Sequence, residues 1–285
     1  MKPINKVLAA ISVVTLLFSC EKENQSPEPN EPTPDPIEER VPMAVSPYFD
    51  ENLLFISHRG MKDYPENTFA AVDAAVRSGF KAVECDICMT RDGVFVLQHD
   101  PTIDRCSDGK GRVNDMTYDD LLTYDFGSWK GEEFNGERIV RLDDLLDYFK
   151  EKGLIIELDL ADESRFKREW IPAIYELVKQ KDMLGQTMFT ATQNELESFL
   201  QEPRDIIVSV SGVYFYNNAK RALAIKNKVT LCNFSVPHDY LTSKITDFAH
   251  ENGVKVKTWT TTSQEEIDYC IGLGADYIIT EVPLQ

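Results

Sequence analysis

The chain has 285 residues, of which 42% are hydrophobic, and its 48 acidic against 30 basic side chains give a formal charge of −18. So acidic a balance disfavours unassisted binding to nucleic acid or anionic lipid and points to a small substrate. Apart from Cys20, the cysteines are Cys85, Cys88, Cys106, Cys232 and Cys270, an odd number, which excludes a complete disulfide framework.

The chain opens with Lys2 and Lys6, continues in an apolar run from Val7 to Phe18 and reaches Ser19-Cys20. This is the make-up of an export signal, and the run is shorter than the ~20 residues that a membrane-spanning helix needs. Leu17-Phe18-Ser19-Cys20 is similar to a lipoprotein cleavage box, with Cys20 as the lipidated residue; the alternative is an ordinary cleaved signal with an incidental cysteine. Residues 21–47 hold seven prolines and seven acidic residues and almost no apolar side chains, a composition that favours an extended tether. The expected organisation is therefore a signal over 1–20, a tether over 21–47 and a folded domain over 48–285. A lipid anchor would hold it to the bacterial envelope, on the periplasmic or the cell-surface side, and no feature marks a protein partner.

After the tether, short β-rich runs alternate with longer stretches of helical period, the pattern of repeated βα units. Strands are expected over residues 53–57, 82–86, 154–159, 187–190, 205–210, 229–233, 254–259 and 276–280. Eight strands without an internal repeat favour a closed parallel (β/α)8 barrel of the TIM type over an open doubly wound sheet. No Gly-x-Gly-x-x-Gly loop follows the first strand. Residues 100–141 lack a helical period but contain Gly109, Gly111, Gly127, Trp129, Gly131, Phe134 and Gly136. They read as an insertion after the second strand, either covering part of the barrel mouth or forming a plain surface excursion.

Polar residues gather where the strands end. The first strand runs into His58-Arg59-Gly60, the second ends Glu84-Cys85-Asp86, and the third ends Glu157-Leu158-Asp159. Residues two apart in a strand share a face, so Glu84 and Asp86 point together while Cys85 points away. Cys85 and Cys88 fall on opposite faces and no second pair follows, which argues against zinc or redox use. Carboxylates crowded at one mouth repel unless a cation or protons intervene, so Glu84, Asp86 and Glu157 are candidate ligands for a hard ion, Mg²⁺ or Ca²⁺. Asp92-Gly93 signals a two-residue hairpin loop. In that register His99 stands opposite Asp86, which brings a second histidine beside His58 and the acids.

These residues carry a family resemblance. His58-Arg59-Gly60, Pro65-Glu66-Asn67-Thr68, Glu84-x-Asp86, Thr90-x-Asp92-Gly93, His99-Asp100 and Asp104-Arg105 resemble, in order and spacing, the pattern of glycerophosphodiester phosphodiesterases. Gly127-Ser128-Trp129, Leu142-Asp143-Asp144, Ile156-Glu157-Leu158, Trp259-Thr260 and the run from Gly274 to Thr280 continue it. The resemblance implies metal-dependent hydrolysis of a phosphodiester, with His58 and His99 as general acid and base, Glu84, Asp86 and Glu157 as metal ligands and Arg59 on the phosphate. Trp259 becomes an apolar wall for the alcohol, or else a core residue. The expected products are glycerol 3-phosphate and an alcohol. The alternatives are a related phosphodiesterase for a phosphoinositide or lysophospholipid head group, or a surface lipoprotein that binds phosphodiesters without cleaving them.

The chain departs from the pattern where Asp159 replaces a lysine, Thr262 an asparagine, Glu281 an aspartate and Arg141 a small residue. An anion in place of a phosphate-binding cation is the serious change. In the seventh strand Lys257 shares a face with Trp259, so Lys257 is expected inside the barrel, paired with Asp159 or contacting the phosphate in place of the missing lysine. If the strand is rotated, Lys255 and Lys257 face the helices or solvent instead, and Asp159 is simply another ligand of the metal.

Overall fold

The protein is described by a computed structural model over residues 43–284, residues 163 and 165 excepted. The segment read as an export signal, Cys20 and the expected tether up to residue 42 lie outside the described residues.

Strand β1 (Leu54–His58) leads to helix α1 (Phe69–Arg77), and β2 (Ala82–Met89) turns back as the short β3 (Phe95–Leu97) before α2 (Tyr118–Leu121) and α3 (Leu142–Lys152). The βα repeat then continues through β4 (Ile155–Asp159), α4 (Ile171–Gln180), β5 (Thr187–Thr192), α5 (Gln193–Phe199), β6 (Arg204–Ser211) and α6 (Tyr216–Ala222). It finishes with β7 (Val229–Pro237), α7 (Ser243–Glu251), β8 (Lys255–Thr261), α8 (Gln264–Gly272) and β9 (Tyr277–Thr280). All eight expected strands are present with small shifts at their ends. They pair in parallel, and β1 bonds to both β9 and β2, which closes the barrel.

Alternation along each strand separates two cores. In β4, Ile156 and Leu158 point outward into the layer between barrel and helices, while Ile155 points inward. The inward floor is built from Leu54, Ile56, Ala82, Ile155, Met188, Ile207 and Tyr277, and Phe49 of a 3-10 turn (Pro47–Asp50) closes it from below. Tyr277 Oη donates to the Phe49 carbonyl at 2.7 Å, and Lys255 Nζ donates to the same oxygen at 2.7 Å and to that of Glu51 at 2.9 Å. Met43 and Val45 pack against this floor, and the Ser46 amide donates to Gly185 O at 2.8 Å. The folded unit thus begins before Tyr48, because these two apolar side chains among the prolines have a surface to cover.

The β2–β3 hairpin corrects one expectation. Ile87 faces Leu97 and Met89 faces Phe95, and the Thr90 amide bonds to Val94 O at 2.9 Å. The loop is therefore three residues, Arg91-Asp92-Gly93, with Gly93 at φ +84°, the left-handed position of a three-residue hairpin. This register sets Gln98, not His99, against Asp86, with the Gln98 amide bonded to Asp86 O at 3.0 Å. Ile103, Val113, Leu121, Phe126 and Ile139 of the insertion form a separate core with Cys88 and Val96 of the hairpin strands. Cys85 belongs to the outer layer instead, and the five cysteines of the folded unit are buried free thiols. Among the described residues no helix is long and apolar enough to cross a membrane.

Candidate active site

A cavity of about 360 Å³ opens at the C-terminal ends of the strands, where such barrels carry function. His58, Arg59, Glu84, Asp86, His99, Glu157, Lys257 and Trp259 all line it, so every site residue read from the sequence inside the folded domain meets there. The register explains the meeting, since His58 pairs with Glu84, Glu84 with Glu157 and Asp86 with Asp159 on neighbouring strands. His99 lies just beyond β3 and reaches the cavity from there, although the facing predicted for it is one residue out.

The turn after β1 is built for close approach. Arg59 and Gly60 take φ +55° and +86°, and a Cβ on Gly60 would sit 2.5 Å from the Ala71 carbonyl carbon, so only glycine fits. The turn is pinned by Ser57 Oγ donating to Gly60 O at 2.8 Å and by the Arg59 amide donating to Glu84 O at 3.0 Å. The segment from Pro65 to Thr68 then supports the site residue by residue. Glu66 accepts from Arg59 at 3.2 Å and from Arg105 at 2.8 Å. Asn67, at φ +58°, donates to Asp86 Oδ2 at 2.8 Å and accepts the Asp86 amide at 3.2 Å, while Thr68 caps α1. Against the effect of burial, Arg105 and Arg59 keep the Glu66 carboxyl below its usual range.

One oxygen from each of Glu84, Asp86 and Asp159 lies within 4.8 Å of the others. Glu84 and Asp86 are buried, and Arg59 Nε stands 2.9 Å from Asp86 Oδ2. Burial pushes the Glu84 carboxyl well above the usual carboxylate range; Asp86, Asp159 and Glu157 push the same way and Arg59 opposes them. A cluster that resists holding its own charge, made only of oxygen donors, fits a hard divalent cation. Glu157, expected as the third ligand, lies beside Glu84, but its Oε1 accepts from Lys257 Nζ and, at 2.6 Å, from Thr190 Oγ1.

Lys257 is inside the barrel and buried, which excludes the rotated strand. Its partners are Glu157 and Thr190 Oγ1, the latter at 2.9 Å, rather than the expected Asp159. The reason is height: Lys257 stands one inward position below Trp259, level with Glu157, whereas Asp159 lies one position nearer the mouth. Asp159 turns an oxygen to the Ala161 amide at 3.0 Å and joins Glu84 and Asp86.

Each histidine has a carboxylate on Nδ1. Glu281 Oε1 is 3.3 Å from His58 Nδ1, and Asp100 Oδ1 is 2.7 Å from His99 Nδ1. The hydrogen bond from His58, opposed by burial and aided by Lys62, brings Glu281 down to about 2. The hydrogen bond from Arg105, opposed by burial and aided by His99, does the same for Asp100. Both acids are ionised at neutral pH and can only accept, so Nδ1 carries the proton and Nε2 holds the lone pair of each neutral ring. The sequence reading missed Glu281 and Asp100 as partners. A signal for Glu281 was its place at the end of the last strand; for Asp100 it was adjacency to His99.

The sequence signature described as "Glycerophosphoryl diester phosphodiesterase family" matches residues 58–285. The chain is 32% identical over 246 residues to protein YhdW of Bacillus subtilis (strain 168), covering 81% of this chain and 95% of that protein. It is 27% identical to the glycerophosphodiester phosphodiesterase of Caldanaerobacter subterraneus subsp. tengcongensis, covering 81% and 94% of the two chains. Among solved structures, the fold is similar to an Oleispira antarctica phosphodiesterase in complex with its product sn-glycerol-3-phosphate, at TM-score 0.69 and 24% identity over 83% of this chain and 96% of that one. It is also similar to the glycerophosphodiester phosphodiesterase of Agrobacterium tumefaciens, at TM-score 0.68 and 22% identity over 81% and 97%. With the barrel, the turn after β1 and the match from His58 onward all in agreement, the chain belongs to the glycerophosphoryl diester phosphodiesterase family, a family of phosphoric diester hydrolases.

Proposed function

We propose that this protein hydrolyses glycerophosphodiesters to glycerol 3-phosphate and an alcohol, using His58 and His99 as general acid and base beside a divalent-cation site. The observation that carries the reading is one cavity holding two histidines, each with an ionised carboxylate on Nδ1, next to a clustered acid trio. Glu84 and Asp86 hold the ion, Mg²⁺ or Ca²⁺, and Asp159 or Glu157 completes the set; Asp159 is the one within reach while Lys257 engages Glu157. A divalent ion bound there supplies positive charge to the phosphoryl oxygens.

The protein's own groups account for the rest. Negative charge grows on the phosphoryl oxygens in the transition state, and Arg59 and Lys257, both lining the cavity, lower its energy. Nε2 of one histidine takes the proton of the attacking oxygen, and Nε2 of the other gives a proton to the leaving alkoxide. Glu281 and Asp100 steady the ring that is momentarily doubly protonated. Trp259 forms an apolar wall of the same cavity.

Release of glycerol 3-phosphate from a panel of glycerophosphodiesters, with and without EDTA, tests this reading. Release that disappears with EDTA and returns with Mg²⁺ or Ca²⁺ is expected; no release from any diester, or full activity after metal stripping, would overturn it. Comparing ion affinity in Asp159→Asn and Glu157→Gln identifies the third ligand. Export and lipid anchoring through Cys20 are proposed from the cleavage-box sequence, and loss of palmitate labelling in Cys20→Ser checks them.

A further inference from the structure

Arg105 ties two loops of the catalytic mouth together. Its backbone is fixed by buried neighbours, Ile103 in the insertion core and Cys106. From there the guanidinium makes two forks. Nη1 and Nη2 each donate to Glu66 at 2.8 Å, and Nε and Nη2 donate to Asp100 at 2.8 and 3.0 Å. Glu66 belongs to the turn after β1 that carries Arg59, and it also accepts from Arg59 at 3.2 Å. Asp100 belongs to the chain after β3 and holds His99 Nδ1 at 2.7 Å. One row of side chains, Arg59, Glu66, Arg105, Asp100 and His99, therefore runs from the phosphate-side cation to a histidine.

A planar guanidinium with donors on two edges fits two carboxylates at once and fixes both their places and their planes, which a point charge does not. Asp100 Oδ1 accepts from both Arg105 Nη2 and His99 Nδ1, so the tilt that Arg105 gives the carboxylate is passed on to the imidazole. Hydrogen bonds to Glu66 and Asp100 hold the Arg105 guanidinium above its usual value, so the fork stays charged throughout. The other histidine is held differently: its acid, Glu281, is met by the ammonium of Lys62 at 2.9 Å, on a side chain that is 55% exposed. Precision matters at His99 because a general acid or base must reach the proton it moves, and a displacement of about 1 Å can cost about 10²-fold in rate.

We infer that Arg105 is a positioning residue: through its forks to Glu66 and Asp100 it holds the His99 imidazole in fixed register with Arg59. The inference rests on the hydrolytic reading of the cavity and deepens it.

The test compares Arg105→Met with Arg105→Lys, which keeps the charge and loses both forks, in the full-length protein. In both variants kcat on glycerophosphodiesters is expected to fall about 10–10²-fold while KM changes by less than about twofold. Arg105→Lys decides the matter even where Arg105→Met does not fold. In an Asp100→Asn background Arg105→Lys should add little further loss, since the path to His99 is already cut. Near wild-type kcat in Arg105→Lys would show that charge suffices and overturn the inference, as would a loss confined to KM or losses that multiply with Asp100→Asn. The Nδ1 proton of His99, followed by NMR, reads the same positioning without turnover: slow exchange with water is expected in the wild type and fast exchange in Arg105→Lys. A protein that cleaves no diester yet loses this protection in Arg105→Lys keeps the positioning and loses the hydrolytic reading. One that cleaves diesters, with kcat and the His99 proton unchanged in Arg105→Lys, does the reverse. Absence of cleavage together with an unchanged proton rejects both.

Discussion

The floor and the mouth of the barrel are made by the same strands and have opposite chemistry. Along β4 the inward side chains run Ile155, Glu157, Asp159; along β2 they run Ala82, Glu84, Asp86; along β1 they run Leu54, Ile56, His58. The floor is apolar and closed by Phe49, while the mouth collects histidines, acids and two cationic side chains in one cavity. Such a division lets burial at one end supply the stability that crowded charges at the other end oppose.

The sharpest way to break this comparison is to cut at the mouth. His58→Ala and His99→Ala are each expected to lower kcat by roughly 10²–10⁴-fold while the melting temperature moves little, because neither belongs to an apolar cluster. Steady-state kinetics with thermal melts decides it, and a large loss of stability with the loss of rate would mean that the mouth also holds the fold.

A cut at the floor should do the opposite. Phe49→Ala is expected to cost about 3–5 kcal/mol in denaturant unfolding, with kcat of the folded fraction preserved. Midway between the two regions, Lys257→Met leaves Glu157 buried without its cation and is expected to cost a similar about 3–5 kcal/mol. Adding Glu157→Gln should recover much of that loss, and a double-mutant cycle showing simple additivity would refute the pairing.

The raised carboxyl of Glu84 sharpens the contrast through pH. Between its unfolded value near ~4.3 and its higher folded value the native state binds the extra proton, so without a divalent ion stability should fall as pH rises through this range. An ion displaces that proton, so its affinity should rise with pH and fall in Glu84→Gln; calorimetry at several pH values reads both.

The smallest effect lies at the acid end. Asp100 and Glu281 are depressed to about 2, so their contribution is complete above their unfolded values near ~4 and is lost as pH falls through about 2. Both are partly exposed, so the loss is modest. Hydrogen exchange in that window should loosen the turn after β1 and the chain around His99 before it loosens the floor strands.

Much of this was legible in the sequence, because β-strand periodicity and strand ends are local properties. Eight short apolar runs fixed the barrel, and acids and histidines at their ends marked the mouth before any contact was known. Pairing was less accessible. The hairpin register depended on whether the loop spent two residues or three, and one residue changed the partner of Asp86 from His99 to Gln98. The partner of Lys257 likewise depended on the relative height of β4 and β8 across the barrel, which no single strand encodes. The sequence by itself determined which residues of each strand share a face, through their two-residue alternation, and which end of the barrel carries the chemistry, through the acids and histidines at the strand ends. Only the tertiary structure decided that Lys257 meets Glu157, that Glu281 stands behind His58 and, between the two places open to it, that Asp159 joins Glu84 and Asp86, since these depend on how closed strands are staggered against one another.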